Sequence, residues 1–339
     1  MNKIAVVFRR FGPYHLARLA GAGAAAQRRG AAVVGIEVAR TDETYAWQAT
    51  EGSPGFRRVR MFRDAVYEDI APEDIGRSLV AVLREEQPDA VALPGWASIE
   101  ARAGLTWAAR AGAGAVLMSE SSRRDFPRFW WREHAKRRVV GRYGAALVGG
   151  ERHAEYVSDL GMPLDRVFLG YDVVDNRYFD AGARRARESA DRLRRARDLP
   201  EHYFLASARF VAKKNLAMLI DAFAAYRREA GAAAWGLVLL GDGPLRARLL
   251  RKMQQKGLAD LMRLPGFVQY ADLPVYYGLA DAFVHPSRRE QWGLVVNEAM
   301  ASGLPVLVSE RCGCVPELVA EGTGGFCFDP DDPTALAGL

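Results

Sequence analysis

Short, almost wholly apolar runs alternate with longer helix-like stretches along this chain from its first residues to its last. Residues 4–8, 32–38, 89–93, 115–118 and 145–148 read as strands, with helices expected at 16–29, 79–86, 101–110 and 129–143. An Arg/Ala-rich segment over 180–200 ends at Pro200, and the alternation then restarts. Strands are expected at 203–208, 236–240, 262–264, 282–285 and 306–308, and helices at 215–229, 244–256, 273–277 and 294–302. Strands that are apolar on both faces need cover on both faces, so the pattern predicts parallel sheets flanked by helices. At roughly 100–200 residues per domain, 339 residues make two such α/β units, placed at 1–180 and 181–339 and joined near 180–200. The halves share a pattern and not a sequence.

Composition removes several alternatives. Half of the residues are hydrophobic and 26% are charged, which excludes a largely disordered chain. No apolar run reaches the ~18 residues of a membrane-spanning helix; Arg102 and Arg110 break the best candidate, near 103–119. The opening run over 4–8, followed by Arg9-Arg10, is too short and too soon charged for a signal peptide and reads as the first strand. Cys312, Cys314 and Cys327 cannot build a disulfide framework, and no His or Cys cluster completes Cys312-Gly313-Cys314 as a metal site. Reduced, partly buried thiols and a cytoplasmic setting are expected.

The formal charge is +6, and it is concentrated. Segment 121–142 carries eight cations against Asp125 and Glu133, and segment 184–197 carries seven arginines against Glu188 and Asp191. The second reads as an exposed linker helix. Basic charge gathered in local segments argues for local sites and against a nucleic-acid partner, which calls for a broad basic face.

Several motifs have plain readings. Gly21-Ala-Gly23-Ala-Ala-Ala26 fits the dinucleotide fingerprint as a string, but its glycines fall inside the first helix and not between strand and helix. Small-residue packing explains it, and a nicotinamide dehydrogenase is disfavoured. Asp329-Pro330-Asp331 matches a D-x-D string, yet a turn with Asp331 or Asp332 capping a helix before Pro333 is the better reading.

Other residues fall at the carboxyl ends of the expected strands, where parallel sheets bind ligands. Gly12-Pro13 opens the loop after the first strand; Arg209 follows strand 203–208, and Lys214, with Lys213 beside it, comes five positions later. Two long cations at one strand end suit a diphosphate. Gly241-Asp242-Gly243-Pro244 permits close backbone approach before a helix starting at Pro244. Glu290 and Glu298 stand eight residues apart; Gly293 places the first in a loop and the second on a helix whose tip, 293–295, offers free N–H groups to a phosphate.

In this order the set resembles glycosyltransferase family 4, the glycosyl transferases group 1. The matching residues are Arg209-x4-Lys214-Asn215, the Gly241–Pro244 turn, and Glu290-x7-Glu298 followed by Ala299-x-Ala301-Ser302-Gly303-Leu304-Pro305-Val306. Gly313, Pro316-Glu317 and Gly322-x-Gly324-Gly325-Phe326 continue the match, which is strong over 203–335 and rests mainly on strand order over 1–180. The resemblance implies a GT-B fold, with two Rossmann-like domains whose parallel sheets face across a cleft. It also implies retaining transfer of a hexose from a nucleotide diphosphate sugar, without metal or cofactor. Arg209 and Lys214 would neutralise the diphosphate, Glu290 would accept hydrogen bonds from sugar hydroxyls, and Glu298 would hold the ribose. Trp292, Gly293 and Leu294 would meet the sugar and distal phosphate, Gly12 would approach the donor from the first domain, and Phe267 and Val268 would line the base.

The sequence departs from the family in three places. A glycine pair is usual where this chain has Gly12-Pro13. No histidine follows the strand ending at Pro94-Gly95-Trp96, and His15, His134 and His153 read as structural or surface residues. The last helix, which would return to the first domain, is not found after 335–339, so either the chain is cut short or the cleft closes differently.

On the acceptor side, Phe126, Phe129, Trp130 and Trp131 interleave with the cations of 121–142. This suits an anionic membrane surface and a peripheral enzyme at the inner face of the membrane; the alternative is that Phe129 and Trp130 are core and the arginines a solvated face. The acceptor is expected to be a glycan, a lipid-linked sugar or a small molecule. A nucleotide-sugar epimerase on the same fold and a catalytically silent nucleotide-binding protein are the competing readings.

Overall fold

The computed structural model describes residues 2–43, 47 and 55–339. The chain divides into two compact units, Met1–Val174 and Asp175–Leu339. The first contains β1 (Lys3–Phe8), α1 (Pro13–Gln27), β2 (Ala32–Thr41), β3 (Arg57–Val66), α2 (Pro72–Glu86) and β4 (Ala90–Pro94). It continues with α3 (Ile99–Ala111), β5 (Gly114–Ser119), α4 (Trp130–Val140), β6 (Ala145–Val148), α5 (Glu151–Asp159) and β7 (Val167–Leu169). Its strands form one parallel sheet in the order β3-β2-β1-β4-β5-β6-β7. The apolar runs behave as expected of strands covered on both faces: Ala5, Val7, Ile36, Val38, Val91, Leu93 and Leu117 are fully buried.

The second unit opens with α6 (Asn176–Glu188) and α7 (Ala190–Arg197). Then follow β8 (Tyr203–Ser207), α8 (Leu216–Ala230), β9 (Gly236–Leu240), α9 (Arg246–Gln255), β10 (Met262–Gly266) and α10 (Leu273–Leu279). The unit ends with β11 (Ala282–His285), α11 (Leu294–Ala301), β12 (Val306–Ser309), α12 (Val315–Leu318), β13 (Gly325–Phe328) and α13 (Pro333–Ala337). Its sheet is also parallel, in the order β10-β9-β8-β11-β12-β13. The winding direction reverses between β8 and β11, and at that reversal the loops leaving the two strands diverge and open a crevice at their carboxyl ends.

The sequence pattern misses β3 because arginine fills it: Arg57, Arg58, Arg60 and Arg63 lie within ten residues. The strand forms because Glu37 of β2, buried in the sheet, accepts from Arg58 Nη2 at 2.9 Å and Arg60 Nε at 2.7 Å. Arginines on an edge strand also discourage pairing with another chain.

Segment 184–197, expected as an exposed linker helix, is helical and largely exposed, with no buried residue in α7; it lies in the second unit, and the units divide at Val174/Asp175. Among its charges α6 hides a stripe of Phe179, Gly182, Ala183 and Ala186, spaced to lie on one face and all buried. A Cβ on Gly278 of α10 would stand 2.7 Å from Ala183 Cα, and one on Gly182 would stand 2.5 Å from Pro274 Cβ. Only small residues on both sides let these helices approach so closely. In α1, Gly23 is likewise a packing residue: a Cβ there would fall 2.0 Å from the carbonyl oxygen of Gly55.

Candidate active site

Residues from both sides of the β8/β11 reversal meet at the carboxyl edge of the second sheet. The chain leaves β8 through Ala208, Arg209 and Phe210, and makes a short turn over Ala212–Lys214 before α8. From the other side, β11 ends at His285 and leads through Ser287 to Glu290, Trp292 and Gly293, where α11 begins. Lys214 Nζ donates to Glu290 Oε2, with each side chain 13% exposed. Ser287 Oγ donates to the same oxygen at 3.2 Å, and His285 Nε2 faces it at 3.3 Å.

The electrostatics follow from burial and from these neighbours. Burial pushes the Glu290 carboxyl up, but the Lys214 charge and the His285 contact together outweigh it and hold the group well below the usual carboxylate range. Burial pulls the neighbouring Lys213 ammonium down, and the charges of Lys214, Arg209 and Arg289 pull the same way against Glu290. Four cations therefore crowd this strand end, with Arg209 exposed. That is unfavourable for the protein alone and favourable for an anion.

Gly293 caps α11 at φ +108°, and a Cβ there would stand 3.4 Å from Glu290 Cγ and 3.5 Å from His285 Nε2. No side chain caps this helix, so its tip remains available to a ligand. Trp292 is buried and its Nε1 donates to Asn297 Oδ1 at 2.8 Å, which ties the loop to the helix it precedes. Leu294 is half-buried at the helix start. Glu298, one helix face further on, is buried and accepts from Tyr277 Oη at 2.6 Å. Burial, reinforced by the Glu298 charge, raises the Tyr277 phenol well above its ordinary range. Phe267, after β10, is exposed and Val268 is half-buried.

The Gly241–Gly243 turn has a more specific role than the spacing suggested. A Cβ on Gly241 would fall 1.9 Å from Ala208 O, and one on Gly243 would fall 2.9 Å from the Phe210 backbone nitrogen. The backbone admitted by these glycines is the Arg209 loop itself, latched by Phe210 N–H donating to Asp242 O at 2.7 Å and Leu245 N–H donating to Phe210 O at 3.1 Å. The helix that follows starts at Arg246 and not at Pro244.

Gly12 lies in the first unit, at the carboxyl end of β1, as the N-cap of α1. Its N–H donates to His15 Nδ1 at 3.1 Å, and burial, with the Arg18 and Arg10 charges adding, depresses the His15 imidazole to about 3. Gly150 and His153 repeat the device after β6 at 3.2 Å. Each histidine thus accepts from the N-cap N–H of the helix that carries it. Asp332 caps α13, accepting from Thr334 and Ala335 N–H groups, while Asp329 and Asp331 pair with Arg311 and Arg288. Cys312 and Cys314 are buried and in no disulfide, and burial raises the Cys312 thiol. Among the described residues no group of three or more His, Cys, Asp or Glu could hold a metal ion.

His285 and Ser287 are the residues that sequence reasoning missed. The available signal was a histidine ending an otherwise apolar strand, five positions before Glu290. In segment 121–142, Phe129 and Trp130 are not core: Phe126, Phe129, Trp130 and Trp131 are 63, 48, 83 and 53% exposed. Only Val140 of α4 is buried, and no helix among the described residues is long and apolar enough to cross a membrane.

Residues 189–339 match the family of glycosyl transferases group 1. The chain is 32% identical over 141 residues to the amylovoran biosynthesis glycosyltransferase AmsK of Erwinia amylovora, covering 40% of this chain and 34% of that protein. It is 30% identical over 226 residues to the D-inositol 3-phosphate glycosyltransferase of Paenarthrobacter aurescens, covering 65% and 53%. The chain thus spans a third to a half of the length of these relatives. Its fold matches sucrose-phosphate synthase from Thermosynechococcus elongatus with a TM-score of 0.74 at 21% identity, over 100% of this chain and 88% of the other. Anabaena HepE in complex with UDP matches with a TM-score of 0.69 at 17% identity, over the same shares.

Proposed function

We propose that this chain, a GT-B-fold protein whose residues 189–339 match the glycosyl transferases group 1, is a retaining glycosyltransferase of family 4. It moves a hexose from a nucleotide diphosphate sugar to a glycan, lipid-linked or small-molecule acceptor, without a metal. The observation that carries this reading is the pairing of Lys214 with Glu290 beside the open tip of α11. As a nucleoside diphosphate departs, charge builds on phosphate oxygens. Arg209, Lys214 and the helix N–H groups are fixed donors for that charge, each typically worth about 2.7–4 kcal/mol in the transition state. Lys214 then exchanges Glu290 for phosphate, which frees the carboxylate to accept from sugar hydroxyls. Phe267 and Val268 line the base, and Glu298 holds the ribose.

UDP is the first ligand to test, because HepE binds it on the same fold. In a thermal-shift panel of UDP, GDP, ADP and TDP, a ligand at 100 times its Kd stabilises by about 2.7 kcal/mol. One of the four is expected to raise the Tm, and its sugar nucleotide to be consumed in the presence of EDTA with the anomeric configuration kept. No shift with any of them ends the reading.

The exposed aromatics of 121–142 favour an acceptor at an anionic membrane surface. Arg128 and Lys136 are held by the hydroxyl of Tyr156, at 2.6 and 2.7 Å, and brace α4. Trp130, Trp131, Arg137 and Arg138 share its exposed side. Aromatic rings at headgroup depth with arginines on anionic phosphates are the chemistry of interfacial binding. The chain should sediment with phosphatidylglycerol vesicles at low salt, and Arg137→Glu with Arg138→Glu should abolish this. Equal sedimentation of parent and variant would remove the membrane from the reading.

A further inference from the structure

Glu290 Oε2 is surrounded by three groups, from Lys214, Ser287 and His285, whereas its Oε1 accepts no hydrogen bond from the described residues. If Lys214 turns to a phosphate, two contacts remain to hold the carboxylate, and the shorter chain of Ser287 also faces His285 Nε2 at 3.3 Å. The imidazole is 1% exposed, and its ring lies nearly parallel to that of Phe283, with centroids 6.3 Å apart. The glycine at 293 leaves the room in which His285 and Glu290 meet.

The hydrogen-bond pattern decides the tautomer. A bare Nε2 would set a lone pair against a carboxylate oxygen, so Nε2 carries the proton and donates. Nδ1 has no partner among the described residues. An unsatisfied buried acceptor is tolerated better than a stranded N–H, which argues for a bare Nδ1 and a neutral ring. Burial, with the Lys214 charge adding and Glu290 opposing, draws the imidazole below its ordinary range and agrees with that state.

We propose that His285 is a positioning residue: its neutral ring donates the Nε2 proton to Glu290 Oε2 and keeps Oε1 directed at the sugar once Lys214 has left for the diphosphate. This rests on the reading of Glu290 as the sugar-binding carboxylate. His285 touches neither donor nor acceptor and acts through Glu290 alone.

Two measurements on the full chain test it. The first is 15N NMR of the five histidines, with the His285 signals identified by their loss in H285Q. Nε2 should be protonated and Nδ1 bare at neutral pH, and the ring should stay neutral as pH falls below the ordinary imidazole range. A protonated Nδ1 at neutral pH overturns the proposal.

The second is turnover with UDP-glucose, GDP-mannose, ADP-glucose and TDP-glucose, carrying the best of the four forward. H285L and H285N, which cannot donate from the ε position, should lose about 10- to 100-fold in kcat, the range expected for a hydrogen bond to a charged group. H285Q, whose amide reaches that position, should restore most of the loss. Binding of the matching nucleoside diphosphate, which has no sugar, should stay within about twofold, a split that general misfolding would not produce. H285L turning over like the parent while E290Q is impaired defeats the role of His285 alone. An E290Q variant as active as the parent, or no turnover of any of the four sugar nucleotides, defeats the glycosyl-transfer reading and this proposal with it.

Discussion

The two sheets are wound alike, yet their carboxyl edges are finished in opposite ways. In the first unit two helix starts and one buried carboxylate are matched from within the protein. The N–H groups of Gly12 and Gly150 go to the histidines three residues on, and buried Glu37 accepts from Phe11 N–H, Arg58 and Arg60. In the second unit the tip of α11 has no side-chain cap, and the principal contact is an ion pair across the β8/β11 reversal. Groups matched in this way have little to exchange for a ligand. An edge that holds crowded cations and an exchangeable carboxylate gains by taking in an anion. Position in the fold supplies the crevice, and the way its polar groups are satisfied decides whether a ligand has anything to replace.

Substitutions on the two edges should therefore separate into losses of turnover and losses of stability. The largest effect is expected at the exchangeable pair. Arg209→Ala or Lys214→Ala should lower turnover at least about a hundredfold, matching the loss of one fixed donor to a developing anion. Near-normal steady-state rates in both variants would show that the second edge is no more a ligand site than the first. Next comes the turn that supports the Arg209 loop. Gly241→Ala combines φ +118° with a Cβ 1.9 Å from Ala208 O, so it should cost about 2–4 kcal/mol in urea unfolding. The control is Gly30→Ala, at φ +67° with nothing within 4 Å, expected to cost only about 1 kcal/mol.

The last effect belongs to the first edge and appears only in its pH dependence. The His15 imidazole is depressed to about 3 in the folded chain against 6.5 in an ordinary setting. The unfolded chain therefore binds the extra proton first as pH falls. The neutral-ring stability is fully present above about pH 6.5 and declines toward the folded value, by at most about 1.4 kcal/mol per pH unit. His15→Gln should flatten the fall in stability between roughly pH 6.5 and 5, measured by denaturant unfolding at each pH. An unchanged slope would mean that the glycine–histidine cap does not set the acid response of this edge.

Much of the fold was legible before the structure because buried parallel strands must be apolar along their whole length. β6, β9 and β11 begin and end where the apolar runs do. β3 was not, since its arginines are matched by Glu37 from another strand, a partner that no local pattern displays. The α6 stripe was hidden in the same way, with Phe179, Gly182, Ala183 and Ala186 spread among arginines whose charge dominates the composition. At the site, the residue types and their order were legible: Arg209, Lys214 and Glu290 fall between expected elements, and Glu298 falls within the expected helix 294–302.

The sequence by itself determined two α/β units and the places where strands stop and loops begin, because helix and strand periodicities are local properties of the chain. It also determined the set of cations, carboxylates and glycines available to those loops. Only the tertiary structure decided that Lys214 meets Glu290, that His285 and Ser287 share the same oxygen, and that Gly241 and Gly243 serve the Arg209 loop. Those contacts depend on β11 lying beside β8 although 74 residues separate Ser207 from Ala282. Strand neighbours in a parallel sheet are set by how the intervening helices pack, and that information is spread over the whole core.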